Sequence, residues 1–186
     1  MCVIETSPVV ETRRLILRAP GAQDVSRIAA MANDRDIARM TQRMPHPFQV
    51  EDAEDFVLHV AAQDPKRANT FVIEHEDLGP VGVIGLFEGE DRVPETGYWI
   101  GRPFWGQGLI PEAVRELLRW CFAERGAARV WCGHSPGNDK SRRVIEKCGF
   151  TYVCDGPSVL WPDGQERPTC YYAIAREDWE KEARHG

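Results

Sequence analysis

The chain has 186 residues, 42% of them hydrophobic and 28% charged, with a formal net charge of −6. That length and apolar content predict one compact domain over residues 1–186 with a sizeable core, and exclude a disordered chain. The acidic balance argues against nucleic acid as a partner, and no apolar run approaches the length of a membrane span, which predicts no membrane partner.

Residues 1–10 read as a loose leader without the basic-then-apolar order of an export signal, so a cytoplasmic location is expected. Glu11 to Ala19 alternates as a first strand, with Leu15 and Leu17 on one face. Gln23-Asp24 opens a helix through about Ala32, and a short helix is expected over Arg35 to Met40. Prolines at 45 and 47 push the MPHPF segment away from helix. Val50 to Gln63 carries Ala53, Phe56, Val57, Val60 and Ala61 at helical spacing. Asn69–Glu74 and Pro80–Phe87 read as a hairpin, and Glu95–Ile100 as a third strand. A long helix follows, stopped by Gly126. Ala128–Cys132 is expected as a buried strand and Asn138–Cys148 as a helix. Phe150–Cys154, continued by Ser158–Trp161, and Thr169–Ile174 are expected to close the chain as an antiparallel pair. The whole is a mixed α/β domain with antiparallel strands first and a strand–helix–strand–helix unit in the middle.

Gly101 to Arg125 (GRPFWGQGLIPEAVRELLRWCFAER) organises the chain. A glycine turn running into a helix leaves the first backbone N–H groups without internal partners, at the positive end of the helix dipole. The glycines let a bulky anion approach, so a phosphate or pyrophosphate suits this turn as well as a plain tight connection does. No Lys-Ser or Lys-Thr follows Gly108, which excludes a P-loop. The third position of a dinucleotide-binding glycine fingerprint is Pro111, which argues against that fold. The six cysteines (Cys2, Cys121, Cys132, Cys148, Cys154, Cys170) show no metal-ligand spacing. They are expected to be reduced, mostly buried small hydrophobes, and no metal is expected.

A strand ending in GYWI, FWGQG opening a helix, a further strand and N-x-x-S-x-x-V-x-E-K-x-G-F over Asn138 to Phe150 together resemble the GNAT superfamily of acetyl-CoA-dependent N-acetyltransferases. Within it they are similar to the RimJ/RimL-type branch, which includes ribosomal-protein N-terminal acetyltransferases. ETRRLILR and the MPHPF loop share that likeness, which runs from about Glu11 to Trp179. The resemblance implies the GNAT fold, a mostly antiparallel twisted sheet with a splayed pair of parallel strands, flanked by helices. It implies acetyl-CoA as cosubstrate, with Phe104, Trp105, Gly106, Gln107, Gly108 and Leu109 cradling the pyrophosphate. Tyr98, Trp99, Ile100 and Gly101 would pair with the pantetheine arm, and Asn138 and Ser141 would stand near the thioester. Two departures stand out. Pro103 occupies the position where the wider superfamily prefers Gln or Arg, with Arg102 one step off, and Ile145 occupies that of the tyrosine which usually protonates the departing thiolate. Ser141 is the expected substitute acid.

The implied reaction is direct attack of an amine on the thioester, which needs a base. Glu95 is the first candidate and Glu88 the reserve. His46 and Phe48 are placed in the acceptor pocket, which residues 31–50 and the 155–168 loop are expected to build, and His134 could approach the thioester. Trp99 and Trp105 read as packing. The acceptor is a primary amine, either a protein N-terminus or a small molecule such as a polyamine, amino acid or aminoglycoside-like compound. A catalytically silent CoA-binding module remains an alternative, and the protein is expected to be a monomer or homodimer.

Overall fold

The computed structural model describes residues 8–161 and 163–183. Most of the expected leader, like Cys2, lies outside them. Ten strands and six α-helices occur among the described residues. Eight strands form one sheet in the order β1 (Val10–Glu11), β2 (Leu15–Arg18), β3 (Ala68–His75), β4 (Gly79–Glu88), β5 (Pro94–Ile100), β6 (Arg129–His134), β10 (Cys170–Ala175), β7 (Thr151–Asp155). Neighbours are antiparallel except β5 and β6, which run parallel.

The helices lie on both faces, and the alternation of strand side chains sorts the core accordingly. Phe71 and Ile73 of β3 join Leu15, Leu17 and Ile84 against α4 (Leu109–Glu124) and α5 (Asp139–Lys147). Val72, between them, points the other way, into a cluster with Ile28, Ala29 and Ala32 of α1 (Val25–Ala32) and Ala53 and Val57 of α3 (Val50–Ala61). Burial on both faces explains why the hairpin strands read as continuous apolar runs.

The expected first strand is broken. Val10–Glu11 and Leu15–Arg18 pair with each other, and the intervening turn is tied to α4: Thr12 Oγ1 donates to Glu112 at 2.6 Å and the Arg14 backbone N–H does so at 2.9 Å. Arg18 then grips Asp24 with two bonds of 2.8 and 2.9 Å, holding a 3-10 turn (Ala22–Asp24) at the start of α1. This buried carboxylate is paired, as its burial demands.

The last third of the chain also differs from expectation. Val159–Leu160 does not extend β7; as β8 it pairs with β9 (Glu166–Arg167) in a separate two-stranded hairpin. Gly156, Gly164 and three prolines punctuate this segment and leave short runs that pair only with each other. The chain continues into α6 (Arg176–Ala183), a helix the sequence reading did not anticipate because its apolar stripe is thin. The five described cysteines form no disulfide; Cys121, Cys132 and Cys148 are buried and Cys154 is exposed.

Candidate active site

The parallel pair β5–β6 is short. Its register holds Glu95 opposite Trp131 and Thr96 opposite Cys132, then stops. Beyond Thr96, β5 continues along β4 to Ile100, opposite Gly82, while β6 follows β10 as far as His134, opposite Cys170. Each strand keeps one partner and loses the other, so a gap opens between residues 97–100 and 133–134. The backbone edge of β5 in that gap is a row of groups that an extended ligand could pair with.

The glycine turn stands at the mouth of this gap. Arg102–Phe104 makes a 3-10 turn, and Gly106 and Gly108 adopt φ of +77° and +75°. Both lie in the left-handed region, where a side chain is strained. A Cβ at Gly106 would meet nothing within 4 Å, so the turn faces open space. Gly108 caps α4 without a side-chain bond, leaving the Leu109 and Ile110 N–H groups free of an intrahelical acceptor, while Pro111 has none to offer. Gln107 closes the turn on itself, its Nε2 donating to the Pro103 carbonyl at 3.0 Å.

Arg102, the cation one step off the familiar position, is engaged elsewhere. Its Nε donates to Asp34 at 2.7 Å and its Nη2 to Asp34 at 3.0 Å and to Asp36. This ties the turn to α2 (Arg35–Ala38), whose N-cap is Asp34. Other cations at the turn are Arg14, which donates to the Gln107 carbonyl at 3.3 Å, and Lys140, whose ammonium lies 3.7 Å from the centre of the Trp105 ring. Trp105 in turn donates to the Ile100 carbonyl at 2.9 Å, so its indole spans from the end of β5 to the start of α5.

Asn138 is the N-cap of α5, its Oδ1 accepting from the Ser141 N–H at 3.2 Å. Ser141 Oγ lies 3.0 Å from the Tyr98 phenol. Glu95 stands at the closed end of the gap, opposite Phe87 on one side and Trp131 on the other. Burial pushes its carboxyl above the ordinary 4.5, with Arg43 opposing. Side chains alternate along β5: Tyr98 joins the α4–α5 core, whereas Trp99 packs against α1 and α3. Glu95, in register with Trp99, therefore opens on the α1–α3 face, and Ser141 on the α5 face. The gap is thus flanked by a carboxylate on one face and a hydroxyl on the other.

The remaining expected site residues divide. Glu88 is held by Arg67 at 3.3 Å and approached by Arg92 at 3.8 Å. His134 is 8% exposed, with Nδ1 2.8 Å from the Ser135 carbonyl and Nε2 3.4 Å from the Tyr172 hydroxyl. Those contacts make it a packed ring on the α5 side. His46 is exposed in its loop, and Phe48 is buried within the α1–α3 cluster with Trp99 at its edge.

The 155–168 segment meets the α2 segment through Arg167, which sequence reasoning did not single out. Its Nη2 donates to the Arg39 carbonyl and its Nε to Ser135 Oγ, both at 2.9 Å, and its Nη1 reaches Asp163 at 2.8 Å. Trp161 stacks on it at 4.7 Å. No spacing marks such a residue, because its partners lie up to 128 positions away. Among the described residues no group of three or more His, Cys, Asp or Glu is disposed to hold a metal, and no helix is long and apolar enough to cross a membrane.

A sheet split at its one parallel pair, with a glycine turn capping the helix that follows, defines the acyltransferase architecture that the motifs implied. The family model for the acetyltransferase (GNAT) domain matches residues 14–151, and the chain belongs to that family. Among curated relatives, the protein named "Putative ribosomal N-acetyltransferase YdaF" of Bacillus subtilis is 36% identical over 142 residues, 65% of this chain and 78% of that one. The [ribosomal protein uS5]-alanine N-acetyltransferase of Escherichia coli is 26% identical over 106 residues, 57% of this chain and 55% of that one. Among solved structures, RimJ of Mycobacterium smegmatis in complex with CoA-disulfide superposes with a TM-score of 0.83 at 22% identity, covering 96% of this chain and 95% of that one. This last likeness speaks to the fold.

Proposed function

We propose that this GNAT-family enzyme transfers acetyl from acetyl-CoA to the α-amine at the N-terminus of a protein. The observation that carries it is the gap between β5 and β6, with Glu95 on one face and Ser141 on the other. The residues present fit the cosubstrate: the open Gly106–Gly108 turn and the free N–H groups of Leu109 and Ile110 suit its pyrophosphate. The edge of β5 that β6 leaves beyond Thr96, up to the Ile100 carbonyl held by Trp105, suits the amide-bearing arm.

Bound there, acetyl-CoA supplies an acyl group with a thiol as leaving group. Glu95 takes the proton that the amine nitrogen sheds as its lone pair forms the new C–N bond. Ser141 offers its hydroxyl hydrogen to the sulfur as the C–S electron pair moves onto it. Asn138 fixes the first turn of α5 and so the height of Ser141 in the gap.

A carboxylate is a weak base even when burial raises it, and this favours an acceptor with a substantial neutral fraction. At pH 7.5 an α-amine of pKa ~7.8 is roughly one-third neutral, against about one part in a thousand for a lysine of pKa ~10.4. The relatives named as ribosomal-protein acetyltransferases support the same class of acceptor.

Two measurements test the proposal. Acetyl-CoA at about a hundred times its Kd should stabilise the fold by roughly 2.7 kcal/mol, a rise of about 5–10 °C in Tm, and ATP should give none. Thiol release is then followed with a peptide bearing a free N-terminal amine, its Nα-acetylated form with an internal lysine, and spermidine. Release with the first alone is expected. Release with spermidine alone would move the acceptor to small amines, and binding without release against all three would leave a silent CoA-binding module.

A further inference from the structure

Tyr98 shares its face of β5 with Thr96 and Ile100, so its ring points to α5. Its oxygen lies 3.0 Å from Ser141 Oγ and 3.4 Å from the Ser141 carbonyl oxygen. A partly buried phenol packed against the core places its hydrogen on an acceptor, and the hydroxyl is the nearer one. A serine oxygen that accepts from the phenol keeps its own single hydrogen for another acceptor. The helix position where the resemblance would put a tyrosine, Ile145, is fully buried in the core.

We propose that Tyr98 is a positioning residue for Ser141: the phenol donates to Ser141 Oγ and so turns the Ser141 hydrogen into the gap, toward the departing sulfur. This rests on the acetyl-transfer function above.

A proton relay from Tyr98 through Ser141 is the competing arrangement. It would leave a phenolate beside Cys132 and Cys148, and burial, aided by these two thiols, holds the phenol well above its ordinary 10. Tyr98 therefore keeps its proton. In the balanced step the amine's lone pair forms the C–N bond, the amine's proton passes to Glu95, and the C–S pair leaves on sulfur. Ser141 steadies that anion, which takes a proton from solvent as the thiol departs while Glu95 gives up its proton to solvent, and Tyr98 ends as it began.

The test is a double-mutant cycle on kcat with Tyr98→Phe, Ser141→Ala and the pair, alongside calorimetric Kd values for acetyl-CoA and melting curves. Tyr98→Phe is expected to lower kcat by about tenfold, with Kd for acetyl-CoA changed by less than about twofold. Ser141→Ala is expected to lower kcat by about tenfold to a hundredfold, and adding Tyr98→Phe to it should cost nothing further. Multiplicative losses, or full activity in Tyr98→Phe, would overturn the proposal while leaving the acetyltransferase function intact. A wild-type protein that binds no acetyl-CoA would sink both.

Discussion

Arg102 reaches from the end of β5 to Asp34 at the head of α2, with Nε 2.7 Å from one carboxylate oxygen. The guanidinium that sequence spacing would offer to a phosphate is thereby spent on a strut between the glycine turn and the α2 segment. It holds the Asp34 carboxyl down to about 2, from an ordinary 3.8. A depressed carboxylate stabilises the fold above its unfolded value, and that contribution disappears as pH falls through the folded one. The Tm difference between the wild type and Arg102→Gln should therefore be present above about pH 4 and vanish towards pH 2. Both groups are accessible to solvent, so 1 M salt should shrink the gap at neutral pH. A gap that persists to pH 2 would mean that Arg102 acts by packing on Trp105, over which its guanidinium lies at 5.1 Å.

Glu95 bears on activity and stability in opposite senses. As the proposed base it must be ionised, so kcat/KM should rise with pH along an acid limb centred above 4.5, the direction in which burial moves the carboxyl. Glu95→Gln should abolish that limb and lower kcat/KM by about a hundredfold or more. A carboxyl raised on folding binds its proton more tightly in the folded state, so at pH 7 ionised Glu95 opposes folding. Tm of Glu95→Gln at pH 7 is accordingly expected to equal or exceed that of the wild type. An inactive variant with a much lower Tm would point to a structural role.

At Gly106 the conformational and the functional cost can be separated. A Cβ there has nothing to strike in the free protein, yet φ is +77°. Gly106→Ala should cost about 1–2 kcal/mol of stability from backbone strain, roughly 2–8 °C in Tm. If the pyrophosphate sits on the turn, Kd for acetyl-CoA should also rise by tenfold or more. Calorimetry showing an unchanged Kd would move the phosphate site away from Gly106.

Arg167 joins the two segments expected to flank the acceptor, through Arg39 on one side and Ser135 and Asp163 on the other. Arg167→Ala should raise KM for the acceptor peptide on the order of tenfold while leaving Kd for acetyl-CoA within about twofold. Arg167→Lys should rescue poorly, because an ammonium cannot address this fork of acceptors. Equal losses for both substrates would show that the hairpin supports the whole fold and not the acceptor side.

Local pattern alone determined the elements that carry the cofactor-type site: the glycine turn, the amphipathic α4, the Asn138 cap and the hairpin of β3 and β4. Each depends on residues within a turn or two of one another, through left-handed backbone angles, capping and side-chain period, and those constraints are written in adjacent letters. The likeness carried by GYWI, FWGQG and the Asn138–Phe150 segment added the family. What the tertiary structure decided depends on partners far apart in the chain. It split the first strand because Glu112 holds Thr12 and Arg14 from about 100 positions away, as the separations of 100 and 98 residues show. It spent Arg102 on Asp34, and brought Tyr98 to Ser141 across 43 residues. It also placed Glu95 and Ser141 on opposite faces of the β5–β6 gap, because side-chain period assigns a face only once the neighbouring strands and helices are in place.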